Sequence, residues 1–327
     1  MTRVKKRPSD LTSLERFNLY YKEKEEPLTT GQMLKRYIWN PKARTFCGRT
    51  GSSWWKIILF YLTFYAVLAI LVAVYMWAFL QHLDSREPKW QLESSIIGTN
   101  PGLGFRPLPP EVASSVVWYK GNDPGSQQFW VKELSKFLKA YKRDGKKAGA
   151  SQNIHNCDFK LPAPSGKVCD VDVSAWGPCV EENHFAYHKS TPCIFLKLNK
   201  IYGWKPLFYN SSDSLPNDMP DDLKEHIRNM TAYDKNYLNM VWVSCQGENP
   251  ADRENVGPMQ YLPYRGFPGY YFPYTNQEGY LSPLVAVHFQ RPKTGLLINI
   301  ECRAWAHNIK YDRMEGMGTV HIEIMVE

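Results

Sequence analysis

The stretch IILFYLTFYAVLAILVAVYMWAFL, Ile57 to Leu80, holds no charge, no proline and no glycine. At 1.5 Å per residue it is about 36 Å long as a helix, enough to cross a hydrocarbon core of about 30 Å with some tilt. Fourteen of its residues are Leu, Ile, Val or Phe. At about −0.3 to −0.6 kcal/mol each, these favour insertion by roughly 4–8 kcal/mol. The core helix of a soluble protein seldom keeps so long a run free of charge, proline and glycine. A cleaved signal peptide has a shorter apolar region and a short basic lead, whereas 56 residues precede this one. The stretch therefore reads as a single transmembrane helix.

Charge then orients it. Thirteen Lys/Arg and five acids precede the span, a net charge of +8, and the flank from Gln81 to Trp90 is nearly balanced. The positive-inside rule places residues 1–56 in the cytosol and everything after Leu80 outside, a type II topology. Trp54, Trp55 and Trp77 stand where interfacial aromatics belong. The whole chain is also +8, so the part beyond the span is neutral. The basic balance is thus a topogenic feature with affinity for membrane lipid, and a nucleic-acid footprint is excluded.

Four regions follow: a cytosolic tail (1–56), the span (57–80), an extracellular stalk and lead-in (81–150) and a cysteine-bearing domain (151–327). The tail is polar, with a short helix around Leu14–Tyr21 and a lone juxtamembrane thiol at Cys47. Within the span, Tyr61, Tyr65, Ala69 and Ala73 recur every four residues, a stripe of aromatic then small residues suited to a partner helix. The Tyr65 hydroxyl lies about 12 Å along the span, deep enough to want a partner. In the lead-in, PGLGFRPLPP is extended or turning, and Gln127–Lys142 has the apolar spacing of an amphipathic helix.

Beyond Gln152 lie six cysteines, Cys157, Cys169, Cys179, Cys193, Cys245 and Cys302. An even count outside the cell implies three disulfides, with fifteen possible connectivities. No Cys-x-x-Cys pair supports zinc. Asn210-Ser-Ser and Asn229-Met-Thr are glycosylation acceptors in what reads as polar surface loop. Period-two alternation marks strands at Leu296–Ala304 and Thr319–Glu327, and Ile194–Asn199, Tyr237–Cys245 and Leu284–Gln290 add more. Strands with long loops between them imply an antiparallel sandwich, each sheet burying one face.

Catalytic chemistry finds little support. Asp170-Val-Asp172 matches the weak D-x-D pattern of metal-dependent type II glycosyltransferases, and His184 and His188 lack the HExxH context. No nucleophile elbow, phosphate loop or dinucleotide fingerprint occurs, so no catalytic residue, metal site or cofactor is expected. Aromatic surface is plentiful instead. Tyr261–Tyr274 places seven aromatics in fourteen residues, among Pro and Gly that hold the segment out of regular structure. Such a loop is either pinned to its own core or a binding hot spot.

Several strings carry a resemblance. They are Gly48-Arg-Thr-Gly-Ser-Ser-Trp54, Phe60-Tyr61 with Phe64-Tyr65, PGLGFRP, Pro192–Asn199 with Gly203–Pro206, Tyr270–Tyr274, Leu284–Phe289 and Ile300–Ala304. Together, from about Gly48 to the C-terminus, they resemble the beta subunits of the sodium/potassium-transporting ATPase, in particular invertebrate members. The beta subunit of the proton/potassium pump is close kin, although two sequons lean away from it.

The resemblance implies a non-catalytic subunit of the plasma membrane with an immunoglobulin-like ectodomain on one helix. Its partner would be a multi-span catalytic alpha subunit, which it escorts to the surface and whose potassium affinity it tunes. A small single-span regulatory subunit is a further partner the family admits. The resemblance implies disulfides Cys157–Cys169, Cys179–Cys193 and Cys245–Cys302. It points to Tyr61, Phe64, Tyr65, Tyr270, Tyr271, Phe272 and Tyr274 as alpha-binding residues. Some members carry a redox-active cysteine beside the second Phe-Tyr pair. This chain has Val67 there, and Cys47 is not its equivalent. A cell-adhesion glycoprotein of the same architecture and a type II glycosyltransferase are the alternative readings.

Overall fold

The computed structural model describes residues 12, 29–41, 43–111, 114–142 and 153–327. The helix expected around Leu14–Tyr21 lies outside them, as does the loop that the lysine-rich run Lys142–Lys147 suggests beyond its first residue. The chain divides into two units, one ending at Leu83 and one beginning at Asp84.

In the first unit, helix α1 (Thr30–Ile38) leads into three two-residue strands, β1 (Trp39–Asn40), β2 (Thr45–Phe46) and β3 (Arg49–Thr50), paired antiparallel in that order. Helix α2 (Gly51–Gln81) follows directly and contains the whole apolar run. It starts six residues before Ile57, because Ser52, Ser53, Trp54, Trp55 and Lys56 carry no helix breaker. Its 31 residues make it long and apolar enough to cross a membrane, and none of them is buried.

The second unit holds two main sheets. One runs β10 (Met259–Leu262), β12 (Leu284–Phe289), β8 (Cys193–Leu198), β4 (Leu103–Arg106), all antiparallel. The other runs β11 (Gly266–Pro268), β9 (Met240–Gly247), β13 (Leu297–Trp305), β14 (Thr319–Val326), β5 (Val116–Tyr119). The last of these neighbours, β14 and β5, pair in parallel, so the second sheet is mixed where pure antiparallel pairing was expected. A small parallel pair, β6 (Ile154–His155) and β7 (Val168–Cys169), stands apart.

One hydrophobic core joins both sheets. Phe195, Val285 and Val287 from the first and Val243, Ile300, Cys302, Ile322 and Ile324 from the second are buried in it. Period-two alternation puts Val285 and Val287 on one face of the first sheet, and the residues named from the second sheet on one face of theirs, while Phe195, paired with Ala286, is buried on the other face of β8. β9 departs from the one-face expectation. Val241, Val243 and Cys245 enter this core, while Met240 and Trp242 enter a second one with Leu223, Ile227 and Trp305.

That second core lies under helix α4 (Asp221–Tyr233), within the stretch expected to be surface loop. Leu223, Ile227 and Thr231 are its buried residues, at helical i, i+4, i+8 spacing. Asp221 and Asp222 in the first turn complement the helix dipole.

In the stretch read as stalk and lead-in, the extended PGLGFRP run is strand β4, the amphipathic helix expected over Gln127–Lys142 is α3 (Pro124–Leu138), and β5 is a strand that was not expected. Asp123 caps α3 by accepting from Gly125 N at 2.9 Å, with Pro124 in the first turn. Trp130, Leu134 and Leu138 are buried along one face, and the Trp130 indole donates to Trp118 O at 2.9 Å. The Pro-rich sequence hid these short strands, which are held by pairing rather than by propensity.

Candidate partner-binding surfaces

Two of the three disulfides organise the loops beside the sheets. Cys157–Cys169 closes a 12-residue separation and Cys179–Cys193 a 14-residue one. The third, Cys245–Cys302, spans 57 residues and links β9 to β13, where the two cysteines are direct register partners. Both are buried. This bridge therefore lies within one sheet, whereas the hallmark bridge of an immunoglobulin domain joins facing sheets. Cys47 is the one free cysteine.

On α2 the four rings Phe60, Tyr61, Phe64 and Tyr65 interlock. Tyr61 stacks on Tyr65 at 6.1 Å between centroids and Phe60 on Phe64 at 6.2 Å, the i, i+4 neighbours of a helix. Across the two ladders, Phe60 meets Tyr61 at 5.5 Å and Phe64 meets Tyr65 at 5.4 Å, both edge-on. All four rings are exposed on the helix surface. Thr63, beside them, spends its hydroxyl on Leu59 O at 2.9 Å.

The aromatic segment after β10 is less irregular than expected. Met259–Leu262 and Gly266–Pro268 are strands, β10 and β11, because each finds a partner at a sheet edge. A short 3-10 turn, Gly269–Tyr271, follows. A side chain at Gly269 would meet the Phe208 ring at 2.6 Å and Asn239 O at 2.8 Å, so this close approach requires glycine.

Tyr270, Tyr271, Phe272 and Tyr274 are all half-buried, and they divide among three environments. Tyr271 and Phe272 pack against the main core. The Tyr271 hydroxyl donates to Asp170 O at 2.8 Å, and burial pushes its pKa far above the ordinary tyrosine value. Phe272 meets the Trp204 ring edge-on at 5.5 Å. Tyr270 joins a cluster around Phe159, which contacts Tyr237, Tyr264 and Tyr270 at 4.8, 5.6 and 5.4 Å. Burial, then the neighbouring Tyr264, push the Tyr270 hydroxyl up to about 12. Tyr274 stands in a second group, with Tyr280 at 4.9 Å and Tyr202 at 6.3 Å. Lys200 Nζ lies 5.0 Å from the centroids of both Tyr274 and Tyr280, a cation–π contact shared by two rings. Phe159, Tyr202, Tyr280 and Lys200 belong to this surface although sequence reading did not select them. Phe159 and the loop holding Lys200 and Tyr202 are far off in sequence and only the fold brings them here, whereas Tyr280 follows Tyr274 along the chain.

The remaining candidates separate. Asn210 is exposed in a loop. Asn229 is exposed on α4, a helix and not a loop, and its sequon partner Thr231 is buried with its hydroxyl on Ile227 O at 2.7 Å. Asp172 accepts from both the backbone and the hydroxyl of Ser174, at 2.9 and 2.6 Å, so the D-x-D carboxylate holds a turn. His184 and His188 face each other edge-on at 5.6 Å.

The comparison with known sequences bears on all of this at once. The family described as "Sodium / potassium ATPase beta chain" matches residues 24–322. The chain belongs to that family. It is 54% identical over 316 residues to sodium/potassium-transporting ATPase subunit beta-2 of Drosophila melanogaster, covering 96% of this chain and 98% of the relative. It is 42% identical over 299 residues to subunit beta-1 of the same organism, covering 90% and 93%. Human subunit beta-2 is 29% identical over 304 residues, covering 88% and 92%. The match runs through α2 and both sheets alike. The family's apolar helix and its disulfide-bonded β-rich domain are thus both present in this chain.

Proposed function

We propose that this chain is the non-catalytic beta subunit of a sodium/potassium pump. It folds with the catalytic alpha subunit, carries it to the plasma membrane and adjusts its potassium affinity. The observation that carries this reading is the family match across 24–322, in a chain whose two Drosophila relatives above are named as subunits of that ATPase. The reading includes a type II orientation, resting on the basic flank before α2, and glycans on Asn210 and Asn229, resting on their exposure. It assigns the ectodomain an immunoglobulin-like sandwich, supported by two sheets around one core.

Two surfaces of the chain suit the alpha subunit. The first is the ring ladder Tyr61, Phe64 and Tyr65, exposed on a helix whose neighbours in a bilayer are lipid or other helices. Two tyrosine hydroxyls there favour a protein neighbour over hydrocarbon. The second is the Tyr270–Tyr274 segment, where half-buried aromatics offer area with little side-chain entropy to lose.

Copurification tests the reading. Full-length chain, tagged and solubilised in mild detergent, should bring down a multi-span ATP-hydrolysing subunit at one-to-one. Recovery of the tagged chain alone, with homophilic aggregation of coated beads, would favour adhesion as its main activity.

A further inference from the structure

Before the apolar span the chain builds an amphipathic platform that no membrane-spanning role requires. On α1, at about 100° per residue, Thr30, Met33, Leu34, Tyr37 and Ile38 fall within one arc of about 140°, with Gln32, Lys35 and Arg36 opposite. None of its residues is buried. Met33 is 53% exposed, Leu34 61%, Tyr37 61% and Ile38 45%. Trp39 and Phe46 on the adjoining strands are 56% and 48% exposed. The helix is a specified element all the same, since Gln32 Oε1 accepts from Thr29 N at 3.2 Å to close its first turn. A soluble tail has no reason to expose six large apolar side chains between Met33 and Phe46.

The platform is tied to the span by direct contacts. Cys47 N donates to Ile38 O at 2.9 Å, which fastens the strands to the end of α1. The Trp54 indole, in the first turn of α2, donates to Phe46 O at 2.7 Å, and the two rings lie 5.9 Å apart. β3 ends at Thr50 and α2 begins at Gly51, so no linker separates them. A platform fastened to the first turn of a spanning helix stays where that helix enters the bilayer. Lys35, Arg36, Arg44, Arg49 and Lys56 surround it, with no acid among residues 29–56.

We infer that residues 29–50 lie on the membrane surface as an interfacial anchor, with the Met33/Tyr37 face among the lipids and the basic residues on anionic phospholipid headgroups. The occupant is lipid because the element joins the spanning helix directly and its polar face carries only positive charge. This inference rests on α2 spanning the bilayer. The anchor fixes the depth and rotation of α2, and so the direction in which its ring ladder points.

The test uses the full chain carrying Cys47→Ser, reconstituted in vesicles of phosphatidylcholine with and without phosphatidylserine. Nitroxides are placed one at a time through Met33→Cys, Tyr37→Cys, Gln32→Cys and Val67→Cys. Collision with oxygen and with a water-soluble nickel chelate reports depth. In anionic vesicles the labels at 33 and 37 should be oxygen-rich and shielded from nickel, and the label at 32 the reverse. Each of Lys35→Gln and Arg36→Gln should lower the docked-to-undocked ratio about five-fold, at about 1 kcal/mol per basic residue. Equal nickel access at 32 and 33, shielding indifferent to phosphatidylserine, or shielding only with a co-reconstituted catalytic subunit would each overturn the inference. The last outcome would assign the face to a protein. The label at 67 separates the two levels. Nickel access there removes the spanning helix and the anchor together, whereas a deep 67 with a wet 33 removes the anchor alone.

Discussion

The Tyr271 hydroxyl reaches Asp170 O at 2.8 Å, while the Tyr274 hydroxyl reaches only Asn276 Oδ1, at 3.0 Å, two residues on. Three residues apart, they serve different ends. Tyr271→Phe should cost the ectodomain about 1 kcal/mol, one hydrogen bond, and Tyr271→Ala about 3–5 kcal/mol by adding a cavity. Tyr274→Ala should leave ectodomain stability within about 1 kcal/mol, because its ring packs on Tyr280, Tyr202 and Lys200 at the surface. Urea unfolding of the secreted ectodomain reads all three, and a Tyr274→Ala loss as large as that of Tyr271→Ala would return Tyr274 to the core. His321 gives a second prediction at this scale. Burial alone would lower its pKa. The hydrogen bonds to Glu248 and Glu323, at 2.5 and 3.1 Å, outweigh burial and raise it. A group whose folded pKa is raised adds stability below its unfolded pKa, near 6.5, and loses it as pH climbs through the folded value. Melting temperature should therefore fall from about pH 6 upward through that value. His321→Gln should flatten this part of the profile, and an unchanged slope would show that the clasp is screened by solvent.

Helix α4 is the element that sequence patterning left unread. Its buried residues, Leu223, Ile227 and Thr231, are spaced for a helix, but they sit among Asp, Lys, Glu and Arg in a stretch opened by Pro216 and Pro220. Leu223→Ala or Ile227→Ala should destabilise the ectodomain by about 2–5 kcal/mol, since both are fully buried under Trp242 and Trp305. Hydrogen exchange should show 221–233 losing protection before the main sheets do. Uniform loss would mean that the two cores unfold as one. The long strands were legible in two ways: β13 and β14 leave a period-two record, whereas β8, β9 and β12, buried on both faces, read as short apolar runs. β4, β5, β10 and β11 were not legible. Each has four residues or fewer and takes its conformation from a neighbour at a sheet edge. The aromatic segment was legible as composition, but its sorting into core and surface was not, because Phe159 and Lys200 arrive from loops far off in sequence. Cysteine spacing left fifteen pairings open, and pairing depends on which strands adjoin.

At the scale of the molecule, the two candidate assembly surfaces lie in separate units of one chain, α2 and the disulfide-bonded domain. If both engage one alpha subunit, the second contact forms intramolecularly, and its strength is set by effective concentration more than by intrinsic affinity. Distant sites without shared partners add in free energy, so their losses multiply in equilibrium constant. Tyr61→Leu with Tyr65→Leu keeps α2 apolar and removes only hydroxyls, and Tyr274→Ala spares the core. Each should therefore lower alpha recovery in mild detergent without loss of the chain itself. An anchor truncated at an interface centre commonly costs about 2 kcal/mol, roughly thirty-fold. The triple variant should fall by the product of the separate losses and leave alpha inside the cell. Surface biotinylation of alpha together with quantitative copurification reads both. A triple variant no worse than the weaker parent would mean that one surface alone binds. Full recovery with Tyr61→Leu and Tyr65→Leu, alongside photo-crosslinks from position 65 that reach only lipid, would place the ring ladder against the bilayer.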